Sequence, residues 1–468
     1  MEQKKSAGFF ERLDSTAQYN RLARELRNMI LVNRKPGLKI ETGATTKSET
    51  DFIKYEGRII RNIGFKQLNV FGPTIEDTTR EAVTWIEKTG NKFHFKTKPY
   101  LLRNSLIIKS GYPLDPLKLA DNERILREAK YIQDAKIYVH PISEGIDSVD
   151  VYIVVKDVWS KAFDLKLDNL YGGSFSLWDR NIFGFGHENQ NSIYWDSKEN
   201  EALGYEGVYN IPNIGGSFIR GRGLYSDKFG NRIYGISIDR TFFAPNIKYA
   251  GGLSYYKTNK PEYFQYPDTT IIAPVSFYKT DFWLGRSILL NPANTSSRSR
   301  NNLTFAVRTT KTSILQRPPL AEDQFYNYQN RILYLGSITY SRQRFYNSNL
   351  IYNYGRTEDI PLGFEFQMNG GYETREFKNR VYAGFNVAYA NYFDKTGYFY
   401  FRLGHDGFGL DKKLEQGIVT GRFNHFTPLY HYKRFKFRHF IDIDYTKGIN
   451  RFRDEYLTLN NDYGLYGL

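Results

Sequence analysis

Cysteine is absent from the 468 residues, and only 3 methionines occur. The missing thiols exclude disulfides, cysteine nucleophiles and cysteine-ligated zinc together. Long apolar runs are missing too: no window of about 18 apolar residues exists, which removes a transmembrane helix. Mean hydropathy is negative, but this leaves a membrane barrel open, because barrel strands alternate lipid-facing apolar with lumen-facing polar residues. Nor is the basic charge gathered into one arm: the formal +15 is spread along the chain, so no nucleic-acid partner is expected. The start, Met1-Glu2-Gln3-Lys4-Lys5-Ser6-Ala7-Gly8, lacks the apolar core of a signal peptide.

Aromatics are abundant instead, with 38 Tyr and 35 Phe, and with 39 Gly they favour β-structure. At this length at least two organised regions are expected. Residues 1–50 read as an amphipathic helix and linker: Phe9, Phe10, Leu13, Tyr19, Leu22, Leu26, Met29 and Ile30 recur at helical spacing, and 34–50 are polar.

Between 55 and 159 the pattern is α+β. Gly57–Phe65 reads as a strand, Glu76–Glu87 and Pro99–Ile108 as helices. Asp115 offers a cap to a third helix with a stripe of Leu119, Ile125, Leu126, Ala129 and Ile132. Glu123, Arg124 and Arg127 read as its solvated face. Two alternating strands follow, Asp134-Ala135-Lys136-Ile137-Tyr138-Val139-His140 and Val149–Lys156, with a turn near Glu144–Asp147. Within the order βααββ, with an extra helical insertion before the pair of helices, four stretches resemble a POTRA domain: Phe93–Pro99, Leu106–Gly111, Leu119–Arg127 and Tyr131–Ala135. Asp157-Val158-Trp159-Ser160 is similar to the POTRA-to-barrel junction of the BamA-like outer-membrane insertase and two-partner secretion superfamily.

From 161 to 468 alternating segments are separated by Gly, Asn and Asp turns. Val381, Ala383, Phe385, Val387 and Tyr389 share one face; Tyr382, Gly384, Asn386, Ala388 and Ala390 share the other. Phe399, Phe401 and Leu403 alternate with Arg402 and Gly404, and Phe435, Phe437, Ile441 and Ile443 with Lys436, Arg438, Asp442 and Asp444. In a membrane barrel Arg402, Lys436, Arg438, Asp442 and Asp444 would face the lumen. Short turns near Asp227–Asn231, Glu376–Asn379 and Asp394–Gly397 contrast with long connections around 258–275, 312–330 and 344–362, the loop asymmetry of an outer-membrane barrel.

Trp178–Glu188 resembles the first hairpin of the same superfamily. The expected fold is therefore mainly β: a transmembrane antiparallel β-barrel, incomplete at the C-terminus, preceded by one POTRA domain at 55–159. About thirteen candidate strands precede residue 464, a count that expects some segments to be over-divided. The family's lumen loop would fall at Gly464-Leu465-Tyr466-Gly467-Leu468, with Tyr466 at its arginine position. Since the chain ends where the family continues with further strands, a fragment is expected, its open edge costly in lipid.

The resemblance implies outer-membrane protein insertion or polypeptide translocation. It implies unfolded polypeptide clients, outer-membrane lipid, and periplasmic accessory proteins as partners. Its POTRA edge strand, Asp134–His140, would take a client by strand addition. A passive porin-like barrel with a periplasmic anchor is the alternative. No enzyme, cofactor or metal is expected: His425, His431 and His439 match no zinc spacing, and Gly184-Phe185-Gly186 lacks the third glycine of a dinucleotide loop.

Overall fold

The computed structural model describes residues 46–142, 147–266, 268–290, 300–321, 325–353, 355–433, 435–452 and 455. The expected helix at 8–31, most of the turn near Glu144 and the loop residues Gly464, Tyr466 and Gly467 lie outside them.

The chain enters with a short strand, β1 (Thr46–Lys47), and then builds an α/β unit. Its elements are β2 (Ile59–Leu68), α1 (Trp85–Phe93), α2 (Pro99–Asn104), α3 (Pro116–Glu128), β3 (Ile132–Pro141) and β4 (Ser148–Asp157). Strand β4 is central, parallel to β2 and antiparallel to β3. Alternation explains the packing, for Val149, Val151, Ile153 and Val155 turn one face of β4 onto Leu119 and Leu126 of α3.

Two helices differ from the sequence reading. Residues 76–84 are not helical; α1 begins at Trp85, where Thr84 Oγ1 accepts from the Glu87 N–H at 3.2 Å and Glu87 Oε2 from the Thr84 N–H at 3.1 Å. This capping box fixes the start. The second helix stops at Asn104, whereas Asp115 caps α3 as expected, accepting from the Leu117 N–H at 2.9 Å.

The rest of the chain is one antiparallel sheet. It comprises β5 (Lys161–Leu167), β6 (Gly172–Asp179), β7 (Glu188–Asp196), β8 (Leu203–Ile211), β9 (Arg220–Lys228), β10 (Asn231–Arg240) and β11 (Tyr249–Gln265). It continues with β12 (Thr270–Leu289), β13 (Arg300–Gln316), β14 (Arg331–Asn349), β15 (Thr357–Arg375), β16 (Arg380–Phe393), β17 (Gly397–Leu410) and β18 (Lys413–Phe426). A separate hairpin, β19 (Tyr430–Tyr432) with β20 (Phe435–Phe437), precedes the last strand, β21 (Phe440–Ile449). Each strand from β5 to β17 pairs with the next and β18 pairs with β21, so β5 and β21 are the outer strands of the path, and β1, added along β14, completes a 16-stranded sheet.

The strands outnumber the sequence count, and two of the stretches read as long connections, 258–275 and 344–362, are largely strand, whereas of 312–330 only 312–316 belongs to a strand, β13. Tyr263 pairs with Ile272, so 258–275 is the tip of the β11–β12 hairpin. Similarly, 344–349 pairs with 357–362. Short turns occur at both ends of the sheet: Asp394–Gly397 lies at the end where β5 begins, Asp227–Asn231 and Glu376–Asn379 at the other. The asymmetry expected from turn length is therefore not present.

The two faces differ as alternation requires. One carries exposed Phe282, Leu284, Phe305, Val307, Ile338, Met368, Phe385, Tyr389, Phe401 and Ile443. The other is concave, enclosing a cavity of about 600 Å³ lined by Ser287, Asn302, Thr304, Ser337, Thr339, Glu365, Gln367 and Asn369.

Candidate functional site

The site is the near mouth of the sheet, the end from which β5 departs, where the α/β unit is seated. The carrier is α3. Its apolar stripe faces the unit's own sheet, yet the opposite face is buried as well, with Glu123 4 % and Arg127 3 % exposed. The reading of Glu123, Arg124 and Arg127 as a solvated face is thus corrected, because Glu123 is turned onto β3 while the β10–β11 connection and β15 of the large sheet cover Arg124 and Arg127.

Each charge has a partner brought from far along the chain. Arg127 donates from Nε to Asp359 Oδ2 at 2.8 Å and from Nη2 to Asp359 Oδ1 at 2.7 Å, a two-pronged pair with β15. Burial alone would lower the Arg127 pKa, but the carboxylates of Asp359 and Glu123 outweigh it and raise it. Arg124 Nη2 donates to the Phe243 carbonyl at 2.6 Å, and its guanidinium lies 4.4 Å from the Phe345 ring centroid. Asp121 pairs with Arg300 of β13. From β3, Asp134 Oδ2 accepts from the Thr357 N–H at 3.1 Å.

The same helix closes the sheet edge on which the client-binding reading rested. Strand β3 has one strand neighbour, β4, so its other side is an edge. There the Ala135 carbonyl accepts from Arg127 Nη1 at 2.8 Å, and the Ile137 N–H donates to Glu123 Oε1 at 2.6 Å. In an antiparallel ladder successive residues turn their amides to opposite sides. Lys136, Tyr138 and His140 therefore address β4, while Val139 follows Ala135 and Ile137 on the edge. Burial raises the Glu123 pKa, opposed by Arg127 and by the Ile137 N–H. Asp134 is raised by burial as well, against Arg127 and the Thr357 N–H.

A second set of contacts fastens the junction. Asp157 is fully buried; its Oδ2 accepts from the Thr97 N–H at 2.7 Å and lies 3.2 Å from His94 Nε2. Thr97 Oγ1 in turn accepts from Asn181 Nδ2 at 3.0 Å, and Asn181 Oδ1 accepts from the Gly186 N–H at 2.7 Å. Residues of two of the stretches that carried the resemblance, 157–160 and 178–188, so meet through Thr97, itself in a third.

Between unit and sheet lies the near end of the β14–β15 hairpin. It bends at Gly363, φ +137°, where a Cβ would stand 1.7 Å from the Arg342 carbonyl oxygen. Past the bend Ile360 and Leu362 pack with Tyr398 and Phe426.

The charges assigned to a lumen are distributed unevenly. Arg402, Asp442 and Asp444 share the face of Glu365 through the register Glu365, Ala388, Arg402, Arg422, Asp444, and Arg422 Nη2 donates to Asp444 Oδ2 at 2.9 Å. Asp442 stands opposite Asn424. Lys436 is on the separate β19–β20 hairpin, and Arg438 lies in the connection to β21 with its guanidinium 5.1 Å from the Phe426 centroid. Those two do not belong to the large sheet, because the turn at Lys433, φ 54°, folds Phe435–Phe437 back on Tyr430–Tyr432. Among the described residues no group of three metal-ligating side chains occurs.

Fold and site together define a barrel-type antiparallel sheet whose mouth is occupied by a small α/β unit. No family model and no curated protein matches the chain. Solved structures similar to it include two at 10% sequence identity and a TM-score of 0.31. One is BamA from Haemophilus ducreyi lacking POTRA domains 1–3, covering 85% of this chain and 82% of that one. The other is CdiB from Acinetobacter baumannii, covering 94% and 95%. At these values neither likeness carries an argument about function.

Proposed function

We propose that this chain is an outer-membrane barrel protein that inserts or translocates polypeptides, its α/β unit acting as a POTRA domain in the periplasm. The observation that carries the reading is the division of the sheet: a continuous apolar outer face and a polar concave face, with the unit seated over the mouth. An apolar surface spread over strands β11 to β18 and β21 is far larger than a soluble monomer leaves in water, and lipid covers it. No bond-making chemistry is invoked. Strand pairing satisfies client backbone as it enters lipid, so the work is done without an enzyme's active site.

Client capture by strand addition deepens this proposal and needs one refinement. With Ala135 and Ile137 engaged by α3, only the Val139 end of β3 offers edge groups while the unit is docked. Capture along the whole of Asp134–His140 requires α3 to withdraw. The closed edge favours a second reading, a structural barrel whose unit merely anchors it. Two measurements decide. Detergent extraction followed by a heat-dependent gel shift tests the barrel; solubility without detergent and no shift would overturn it. Photocrosslinking from position 139 to an unfolded outer-membrane polypeptide then separates capture from anchoring, and its absence would leave the structural reading.

A further inference from the structure

The outer face holds a feature that the inserting role does not use. One register row runs Val307, Gly336, Gly370, Ala383 across β13 to β16. On its near side stand Phe305, Ile338 and Met368, and on its far side Tyr334, Tyr372 and Val381. A small row between two large ones makes a groove, and a cavity of about 720 Å³ opens there on the apolar face. With strands about 4.8 Å apart, the row from β12 to β16 is about 19 Å long.

The backbone does not ask for these glycines. Neither has a positive φ; a Cβ at Gly370 meets nothing within 4 Å, and one at Gly336 meets only the Gly370 carbonyl oxygen at 3.9 Å. Glycine weakens a strand interior, where β-branched and aromatic residues fit better. What the two positions supply is room. At one end of the groove, next to Leu284, Arg286 is the charged residue of the cavity lining; it is exposed, 5.8 Å from the Tyr249 ring centroid and without an ion pair among the described residues. Tyr249 is the first residue of β11, so this end sits at the near rim, where aromatic rings meet headgroups. An unpaired guanidinium facing lipid is costly unless it reaches an anion.

We infer that the groove over Gly336 and Gly370 binds one anionic phospholipid, an acyl chain lying along the glycines and the phosphate meeting Arg286. The inference rests on the outer-membrane reading. The experiment is native mass spectrometry of the full chain in detergent, titrated with phosphatidylglycerol, diacylglycerol or inorganic phosphate. Phosphatidylglycerol is expected to be retained one to one, and roughly tenfold more weakly by Arg286→Gln. It is expected to be lost from the filled variant Gly336→Leu/Gly370→Leu, whose heat-dependent gel shift is unchanged. Diacylglycerol, lacking phosphate, should bind no better than phosphatidylglycerol binds Arg286→Gln. Equal retention by the filled variant, by Arg286→Gln, or of diacylglycerol would overturn the site. So would inorganic phosphate binding alone, or a two-copy mass lost on filling, which would make the occupant a second chain. If the filled variant loses its gel shift, Arg286→Gln carries the test. A chain that needs no detergent overturns the outer-membrane reading instead.

Discussion

Arg127 and Asp359, 232 residues apart, form a two-pronged ion pair that ties α3 to the first turn of β15. Arg127 is buried and Asp359 largely so, and Arg127 also holds Glu123 and the Ala135 carbonyl. Removing one partner of such a pair strands a desolvated charge, at a cost of about 3–5 kcal/mol.

Asp359→Ala is therefore expected to release the α/β unit from the mouth. Limited proteolysis would show cleavage in 129–131 and 350–356 that the unaltered protein resists. The double variant Arg127→Met/Asp359→Leu, which removes both charges, should recover much of the protection. Equal protection in all three proteins would mean that the pair does not hold the unit.

Glu123→Gln tests the pH dependence of docking. Burial raises the Glu123 pKa above its ordinary 4.5, so across the interval from 4.5 up to the raised value the folded state binds more protons than the unfolded one. Stability must then fall as pH rises through that interval. Asp134 contributes in the same direction above its ordinary 3.8. Chemical denaturation followed between pH 4 and 8, a range of about four units set by these carboxylates, should show a shallower decline for Glu123→Gln. An unchanged slope would remove Glu123 from the account.

A proline scan of β3 separates its two sides. Pro at Ile137 removes the donor to Glu123 and leaves the ladder with β4, whereas Pro at Tyr138 removes a donor to β4 and leaves its acceptor unpaired, which should cost about 1–3 kcal/mol. Hydrogen exchange at Val151–Val155 should accelerate strongly for Tyr138→Pro and little for Ile137→Pro. The reverse order would invert the assignment of the edge.

Gly363→Ala and Gly370→Ala make a matched pair on β15. The first forces a Cβ into the Arg342 carbonyl at a φ that alanine resists; the second meets open space. Loss of the heat-dependent gel shift is expected only for Gly363→Ala. If both variants behave alike, the bend is not a steric requirement.

The sequence disclosed what is decided locally. Asp115 stands one residue before a helix whose stripe repeats at 3.6, and the alternations of β3, β4, β16 and β17 follow from period two. The box Thr84-Trp85-Ile86-Glu87 is a local signal for the start of α1, which the helix read over Glu76–Glu87 placed too early. Glu123, Arg124 and Arg127 could not be read as buried, because Asp359 and Phe243, which neutralise or cap them, lie far along the chain. Pro361 and Gly363 broke the alternation of β15 at its start, and Lys433 hid the reversal that takes Lys436 away from the large sheet.

One amide gathers these threads. The Ile137 N–H is held by a helix that also grips β15 through Arg127 and the β10–β11 connection through Arg124, so it cannot open while α3 stays seated. Its exchange with solvent deuterium therefore reports helix withdrawal from the mouth, not the fraying of a strand. The protein contains its own gauge of whether the unit is engaged, readable at a single residue without a label or a partner.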